Sequence, residues 1–389
     1  MTLSLCGGLL GGMAQESRFV VEQPARALVC LEHFELGCLL GKGSFSQVMY
    51  ARDKCSGVEY GLKMFDKRAV RAAGYQGAVQ AEKSILSILE HPGVVRLHFA
   101  FQDFSCLYLA LEFVGGGELA SQIQRQSLLP LESTQFYAAE TVVVLEYLQA
   151  KRVAHRDIKP DNLLLTCDGH IKLVDFNAAV LVPSGEAAAP SMTFVGMTPQ
   201  YSPPEVFLGT AQLGLAFAVD LWALGCAIYE MLVGEPPFHA ADEGDVARRV
   251  ISNDYTFPDT FSHQAARDLI EQLLTSSPRE RPGVGSESLA QIKRHAFFGG
   301  IASIFEDLSR RQPPGRLDRG ARSSSDMSSS GLADLPDMEF PLPEEALFLS
   351  REVTPIVGQA FVARSAEKIK IAVVSTHLHE ERDASAWPA

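Results

Sequence analysis

The sequence has 389 residues, too many for one hydrophobic core and enough for two packed lobes with extra segments. Its hydrophobic fraction of 47% and its charged fraction of 21% are those of a globular enzyme and argue against global disorder. The formal net charge of -13 argues against a nucleic-acid partner, because nucleic-acid binders carry a basic face.

The cysteines and the apolar segments indicate a protein of the cell interior. The cysteines are scattered without C-x-x-C pairs, which predicts reduced thiols and a cytoplasmic location. No apolar run approaches the ~20 residues that a membrane span needs, so we expect no membrane span. Residues 1–30 include an apolar, glycine-rich stretch without a preceding basic region, which favours a flexible leader over a signal peptide.

A predicted strand over residues 34–40 leads into a glycine-rich turn and a second strand-like run. By itself a G-x-G turn is most often a simple hairpin. The functional interpretation is a flap whose backbone amides cover phosphate groups, with Phe45 at its tip and Ser46 in place of a third glycine. The residues of this flap are Gly41, Lys42, Gly43, Ser44, Phe45, Ser46, Gln47 and Val48.

A lysine and a glutamate downstream of the flap predict an ion pair between a strand and a helix. Lys63 lies among apolar residues of a strand over residues 59–65, where a lysine is usually solvent-facing. Glu82 lies in a segment over residues 78–89 that repeats apolar residues at helical intervals. Their separation suits a strand–helix crossover, so we expect the two side chains to pair.

Two further predicted strands, over residues 94–101 and 107–113, lead to a hinge. The hinge consists of Val114 and three glycines, a composition that breaks regular structure. Glu118 follows the glycines directly. It has two equal interpretations, a group that holds a ribose hydroxyl and an acid at a helix N-terminus.

The segment from His155 to Asn162, which we call the catalytic loop, brings a carboxylate, an ammonium and an amide together ahead of an apolar strand. Phosphoryl transfer needs such groups: Asp157 as a base for the attacking hydroxyl and Lys159 as a cation for the moving phosphoryl group. Asn162 would supply an oxygen ligand for magnesium. The match to the pattern H-R-D-x-x-x-x-N is complete.

An aspartate at the end of a strand over residues 171–174 completes a two-ligand magnesium site. Asp175 follows the catalytic loop after this strand and would bind the metal together with Asn162. Asn177 stands where a glycine is usual, two residues after the aspartate. Because asparagine tolerates left-handed backbone, we expect the turn to survive with altered mobility.

The remaining segments predict a larger helical region. A helix over residues 131–148 precedes the catalytic loop, and a loop rich in Ala, Pro and Ser covers residues 182–192. Glu205 and Arg281 are candidates for a buried ion pair. Asp220, in an apolar helix, would bind the backbone of the catalytic loop from beneath.

These motifs, in this order, resemble the eukaryotic protein kinase family over residues 31–298. Each motif alone has another explanation, but their chance occurrence together and in order is negligible. The resemblance implies an α+β bilobal fold, with a small antiparallel-sheet N-lobe that carries one main helix over residues 31–114. A larger, mostly helical C-lobe would cover residues 115–300. The implied enzyme is a Ser/Thr protein kinase that uses ATP and Mg²⁺.

The resemblance also implies roles for single residues. Asp157 would accept the proton of the substrate hydroxyl, and Lys159 would neutralise charge on the transferring phosphoryl group. Lys63, fixed by Glu82, would position the ATP phosphates. The implied magnesium ligands are Asn162 and Asp175. The side chains that would enclose adenine are Leu40, Val48, Gly61, Leu111 and Leu164, and the backbone groups that would bond it are those of Glu112 and Val114.

Within the family the chain is most similar to the AGC group, and in it to the phosphoinositide-dependent kinases. The similar stretches are residues 43–46, 108–119, 194–196, 200–201 and 220–226. This similarity implies protein substrates, namely the activation loops of other AGC kinases, and a groove on the small lobe for hydrophobic, phosphorylated tails. The matching groove positions are Lys67, Val70, Val79, Lys83, Gln102 and Leu107. The polar members would bind a phosphate or, equally, form a solvated helix face.

The chain departs from the family around the activating phosphate. Thr193 occupies the position that such kinases phosphorylate, and Arg156 is the one evident cation for that phosphate. Val180 and Ala81 stand where further cations are expected, so a phosphate would order the segment weakly. The segment before Glu205 is also one residue longer than usual, and we expect phosphate dependence and substrate fit to differ from the family.

Two other functions stay open on the sequence. Glu230 is shared with AGC kinases that read a substrate arginine, which keeps a kinase for Arg-rich substrates as an alternative. A pseudokinase scaffold is the other alternative, suggested by Asn177 and the thin phosphate pocket. Against it, the catalytic lysine, glutamate, both aspartates and the metal asparagine are all present.

The chain after the kinase-like region predicts two segments. Residues 301–339 are rich in Arg, Ser and Pro and predict a disordered linker. Residues 340–389 regain strand-like runs but are too few for the complete lipid-binding barrel of the resembled kinases. We therefore expect a strand-containing extension and no phosphoinositide binding.

Overall fold

The computed structural model describes residues 29–183, 196–284, 289–301 and 305. All but the last two residues of the expected leader over residues 1–30, most of the linker and the extension over residues 340–389 lie outside these ranges. Thr193 also lies outside the described residues. The interpretations of these parts therefore stay predictions.

The small lobe is an antiparallel sheet of five strands in the order β1-β2-β3-β5-β4. The strands are β1 (Phe34–Lys42), β2 (Ser46–Asp53), β3 (Glu59–Asp66), β4 (Leu97–Gln102) and β5 (Cys106–Glu112). The neighbouring strands β3 and β5 are largely buried on both faces, which explains the unbroken apolar run of β5 and the apolar residues on both sides of Lys63 in β3.

Strand β4 begins at Leu97, three residues later than predicted. Val94 and Val95, which the sequence assigned to this strand, are each 2% exposed. Val94 forms a bridge with Leu173 of the large lobe, and the Val95 N–H donates to the Leu173 carbonyl at 3.0 Å. The first part of the predicted strand therefore joins the two lobes.

Two helices lie between β3 and β4, namely α1 (Lys67–Ala72) and α2 (Gln76–Ile88). The sequence predicted only α2, two residues later. The six residues of α1 are too few for an apolar period to show, and the helix begins at Asp66, whose carboxylate accepts the Ala69 N–H at 2.7 Å. Helix α2 buries Val79, Glu82, Ile85 and Leu86.

The predicted hinge follows β5 and requires glycine. The Gly116 N–H donates to the Leu165 carbonyl at 2.7 Å, so the hinge lies directly on the large lobe. A Cβ atom on Gly116 would lie 2.3 Å from the Leu165 oxygen, which no side chain can accept. The hinge glycine thus permits a close backbone contact between the segments that line the cleft.

The large lobe is mostly helical. Its helices are α3 (Leu119–Gln126), α4 (Leu131–Ala150), α5 (Pro204–Phe207), α6 (Ala216–Val233), α7 (Glu243–Ser252), α8 (Gln264–Leu273) and α9 (Ala290–Lys293). Two antiparallel pairs complete it, β6 (Val153–Ala154) with β9 (Val180–Leu181) and β7 (Leu163–Leu165) with β8 (Ile171–Leu173). The bilobal α+β fold inferred from the sequence is confirmed.

Helix α6 forms the centre of the large lobe. Trp222 is fully buried and stacks on Phe238 with ring centroids 5.4 Å apart. A Cβ atom on Gly225 would lie 2.9 Å from the Leu273 Cβ, so α6 and α8 pack closely at this position. The segment Leu213–Val233 is long and apolar enough to cross a membrane, but 89% of its apolar window is buried in the lobe, as in a core helix.

Candidate active site

The catalytic loop is held from beneath by Asp220, as the sequence predicted. Its carboxylate accepts the N–H of His155 at 2.9 Å and the N–H of Arg156 at 2.6 Å. Burial raises the pKa of Asp220 to about 7, against the lowering effect of these two hydrogen bonds. Arg156 has a φ of 68°, a left-handed conformation that costs about 1–3 kcal/mol in a non-glycine residue. Asp220 therefore stabilises a strained turn immediately before the catalytic aspartate.

The carboxylate of Asp157 is held through both oxygens. Its Oδ2 accepts the amide of Asn162 at 2.8 Å and lies 3.1 Å from the Lys159 ammonium. Its Oδ1 accepts the N–H and the hydroxyl of Thr198 at 3.0 and 2.7 Å. Asp157 is 6% exposed, so this orientation is protected from solvent. These contacts fix the orientation of the carboxylate, as a base for a substrate hydroxyl requires.

Thr198 is a site residue that the sequence reasoning missed. Its hydroxyl accepts the Lys159 ammonium at 2.6 Å while it donates to Asp157. Thr198 lies 41 positions after Asp157, so no local pattern indicates the contact. Thr198 belongs to the segment before Glu205, which is one residue longer than is usual in the family. The segment nevertheless contacts the catalytic loop through Thr198.

The Lys63 ammonium bridges two carboxylates. It lies 2.7 Å from Glu82 of helix α2, which is the predicted pair, and 2.8 Å from Asp175. Burial alone lowers the pKa of Lys63, but the two carboxylates outweigh it and raise the pKa. Lys63 is therefore charged, and its position depends on both lobes.

Asn162 and Asp175 meet the requirements of a magnesium site. The amide nitrogen of Asn162 donates to Asp157, so its amide oxygen is the atom that can bind a metal. Asp175 uses Oδ1 toward Lys63, and its second oxygen remains for a cation. The described residues contain no cluster of three or more His, Cys, Asp or Glu ligands. Mg²⁺ takes water and phosphate oxygens as ligands besides one or two protein oxygens, and its binding by Asn162 and Asp175 stays a prediction.

We expected Asn177 to occupy a left-handed position in place of a glycine, and this reason was wrong. The left-handed residue of this turn is Asp175, with φ 61° and ψ 72°, whereas Asn177 lies in the short 3₁₀ turn Phe176–Ala178. Asn177 therefore does not need left-handed backbone. Its side chain instead accepts the hydroxyl of Tyr75 at 2.7 Å.

The residues expected to enclose a nucleotide lie around the cleft between the lobes. Gly61 pairs with Leu111 across β3 and β5, and a Cβ atom on Gly61 would lie 3.6 Å from Val48. Leu164 is partly exposed between two buried neighbours on β7, and Leu40 is 41% exposed at the end of β1. The enclosure of an adenine base by these side chains stays a prediction.

The flap and the hinge are both held by local bonds. The Gly43 N–H donates to the Ser46 carbonyl at 2.8 Å and closes the flap turn. At the hinge, the Glu112 carboxylate accepts the Lys172 ammonium at 2.8 Å and the Arg96 N–H at 3.3 Å. The side chain of Glu112, at the end of β5 just before the hinge, is thus bonded to both lobes, while the bond of its backbone to adenine stays a prediction.

Glu118 occupies the N-cap position of α3 but makes no capping hydrogen bond. Burial, and then the negative charge of Asp161, raise the pKa of Glu118. The helix N-terminal interpretation therefore accounts for its position and not for its side chain, and the ribose contact stays a prediction.

The predicted buried ion pair between Glu205 and Arg281 is present. The Arg281 guanidinium donates to both oxygens of Glu205 at 2.6 and 2.7 Å, a bidentate geometry between residues 76 positions apart. Arg281 is 1% exposed and its Nη1 also donates to the Ala218 carbonyl at 2.9 Å. The pair anchors the segment that follows Thr198 to the helical core.

Comparison with known proteins assigns the family. Residues 34–298 match the model of the family described as protein kinase domain. The chain belongs to the protein kinase family. It is 44% identical over 289 residues to 3-phosphoinositide-dependent protein kinase 1 of Arabidopsis thaliana, with 72% of this chain and 57% of that protein covered.

Other relatives agree with this assignment. The human 3-phosphoinositide-dependent protein kinase 1 is 38% identical over 284 residues, which cover 73% of this chain and 50% of the relative. Serine/threonine protein kinase ypkA of Aspergillus fumigatus is 40% identical over 282 residues, which cover 72% and 43%. The chain spans about half the length of the curated relatives it matches. The resemblance drawn from the sequence to Ser/Thr kinases of the AGC type is confirmed.

Proposed function

We propose that this protein kinase is catalytically active and transfers the γ-phosphoryl group of ATP to serine or threonine hydroxyls in the activation segments of other AGC kinases. The observation that carries the catalytic part is the orientation of Asp157 by Asn162, Lys159 and Thr198. The substrate part is supported by the similarity to 3-phosphoinositide-dependent kinases.

The residues divide the work by position. Asp157 holds the substrate hydroxyl and takes its proton, while Lys159, between Asp157 and Thr198, places positive charge beside the transferring group. Lys63 binds the phosphates from the small lobe, and Asn162 and Asp175 would hold the metal. Mg²⁺, when bound, neutralises the charge that develops on the phosphate oxygens. Positioning and electrostatic stabilisation account for nearly all the rate acceleration in this reaction.

The decisive experiment uses a protein substrate. The purified chain is incubated with Mg²⁺-ATP and an unphosphorylated kinase domain of the AGC group, and the phosphorylated residue is identified by mass spectrometry. We expect phosphate in the activation segment of the substrate kinase and none with Asp157→Asn. No incorporation by the unmodified chain would contradict catalytic activity, and incorporation only outside the activation segment would contradict the substrate class.

The proposal includes a docking partner on the small lobe. Of the six groove positions, Val70 and Val79 are 1% and 5% exposed and would form the floor. Lys83 is partly exposed and Gln102 is exposed, so both can contact a bound segment. The Lys67 ammonium donates to the Asp103 carbonyl, which an incoming phosphate would have to replace. Hydrophobic, phosphorylated tails of substrate kinases are the proposed occupants. Cytoplasmic location and absence of phosphoinositide binding remain part of the proposal.

A kinase for Arg-rich substrates is the second candidate. Three acids are electrostatically coupled beside the catalytic loop, because the charge of Asp161 raises the pKa of both Glu118 and Glu230. Burial is the larger cause for Glu230 and raises its pKa to about 7. Such a cluster favours a guanidinium group. A serine peptide with arginines before the serine, compared with its alanine analogue, distinguishes this candidate from the first.

A further inference from the structure

One contact between the lobes uses two side chains that the mechanism does not. The Tyr75 hydroxyl donates to the Asn177 Oδ1 at 2.7 Å, across 102 positions of sequence. Tyr75 immediately precedes helix α2, and its carbonyl accepts the Ala78 and Val79 N–H groups at 3.1 and 3.2 Å. The hydroxyl is thus attached to the first turn of the helix that carries Glu82.

The position of Tyr75 along the helix makes the contact relevant to Lys63. Tyr75 precedes Glu82 by seven residues, which is about two helical turns, so both side chains leave the same face of α2. The turn over residues 175–178, which contains Asp175, is called the metal-binding turn. Glu82 contacts it indirectly, through Lys63 and then Asp175. Tyr75 contacts the same turn directly, at Asn177, which lies two residues after Asp175. Helix α2 therefore contacts this turn at two points, one ionic and one neutral.

Tyr75 and Asn177 also contact the tip of the flap and the backbone at Gly196. The Phe45 ring at the flap tip packs on the Tyr75 ring with centroids 5.0 Å apart. Gly196, with φ 82°, approaches so closely that a Cβ atom there would lie 3.3 Å from both the Tyr75 hydroxyl and the Asn177 amide. Tyr75 and Asn177 thus contact the flap, helix α2, the metal-binding turn and the backbone around Gly196.

We propose that Tyr75 and Asn177 are a pair of positioning residues, whose hydrogen bond docks the first turn of α2 on the metal-binding turn and so holds Glu82, Lys63 and Asp175 in register. The pair is neutral, so the docking requires no phosphate group. The inference deepens the proposed function and rests on it for its kinetic consequence. Its structural consequence, a docked first turn of α2, is independent of turnover.

The test removes one hydroxyl and keeps the ring. Tyr75→Phe leaves the contact with Phe45 in place and deletes only the bond to Asn177. Loss of one neutral hydrogen bond corresponds to roughly a threefold to tenfold shift in the docked equilibrium. We expect amide hydrogen exchange in the first turn of α2 to accelerate by that factor. In peptide phosphorylation, the apparent KM for Mg²⁺ should rise by a similar factor while the KM for the peptide does not change.

The matched control is Tyr147→Phe. The Tyr147 hydroxyl accepts the Glu90 N–H at 2.6 Å and joins the other end of α2 to the large lobe, away from the metal-binding turn. We expect this variant to leave exchange in the first turn and the KM for Mg²⁺ unchanged. Asn177→Ala should reproduce Tyr75→Phe, and the double variant should add nothing, because both changes break the same bond.

Several outcomes would overturn the inference. They are unchanged exchange in Tyr75→Phe, an equal effect of Tyr147→Phe on the first turn, and additive effects in the double variant. If the unmodified chain transferred no phosphate, the proposed function would fail, while the exchange experiment would still decide whether the pair docks the helix.

Discussion

The two sides of the catalytic cleft are held in different ways. In the large lobe, Asp220 binds two backbone N–H groups of the catalytic loop, and Asp157 receives four hydrogen bonds or ion pairs from nearby groups. In the small lobe, helix α2 reaches the metal-binding turn directly through Tyr75 and Asn177, and indirectly through Lys63, which pairs with Glu82 in its own lobe and with Asp175 in the other. Changes in the first region should therefore reduce stability or abolish chemistry. Changes in the second should alter the assembly of the site with little loss of stability.

The largest expected effect is that of Asp157→Asn. The amide has nearly the shape of the carboxylate but is a poor proton acceptor, so we expect kcat to fall by about 10³-fold, the contribution of a general base. ATP affinity should change little, while the melting temperature should fall modestly, because the new amide group replaces one of the two oxygens that accept hydrogen bonds. Rapid-quench measurement of phosphopeptide formation, with nucleotide binding by calorimetry, checks both statements. Turnover at the unmodified rate would show that Asp157 is not the base.

In the large lobe, Asp220→Ala should lower the free energy of unfolding. It leaves the N–H groups of His155 and Arg156 without their acceptor and leaves the strained Arg156 backbone unsupported. We expect the free energy of unfolding to fall by about 3 kcal/mol, measured by denaturant titration. Asp220→Asn keeps one acceptor oxygen and should lose about half as much. Equal stability of Asp220→Ala and the unmodified chain would remove the proposed support.

Glu82→Gln should reduce activity while leaving stability nearly unchanged, in contrast to Asp220→Ala. The amide preserves shape but loses the charge opposite Lys63, which keeps Asp175 as its remaining partner. We expect kcat/KM for ATP to fall by about 30-fold, the value of a charge-assisted hydrogen bond, with a nearly unchanged melting temperature because burial disfavours the lost charge. Glu59→Gln is the control, since Glu59 accepts the Tyr50 hydroxyl at 2.5 Å in the same lobe. A loss of stability as large as that of Asp220→Ala would erase the contrast between the lobes.

The smallest expected effect concerns Glu230 and pH. The pKa of Glu230 is raised to about 7, so its carboxyl is neutral below that pH and charged above it. If the acid reads a substrate arginine, the KM for an arginine peptide should fall by about fivefold between about pH 6 and about pH 8 as the carboxylate forms. The alanine analogue and Glu230→Gln should give flat profiles. A profile for the arginine peptide that is equally flat would favour the first substrate class.

Much of the architecture could be predicted because local patterns are strong in this chain. The alternating pattern of β3, the apolar run of β5 and the helical period of α2 predicted three central elements. Helix α1 was missed because six residues carry no readable period. The first residues predicted for β4 were wrong because Val94 packs on the large lobe, and apolar character alone does not tell a sheet contact from a contact between lobes.

By itself, the sequence determined which chemical groups are present and in which order, from Lys63 to Asp175, because phosphoryl transfer requires those residue types at those places. Only the tertiary structure decided how they are held. Thr198 reaches Asp157 across 41 positions and Tyr75 reaches Asn177 across 102. A hydroxyl can bond many acceptors, and its residue type does not specify which one. The partner is chosen by the packing of the two lobes, which no local pattern contains.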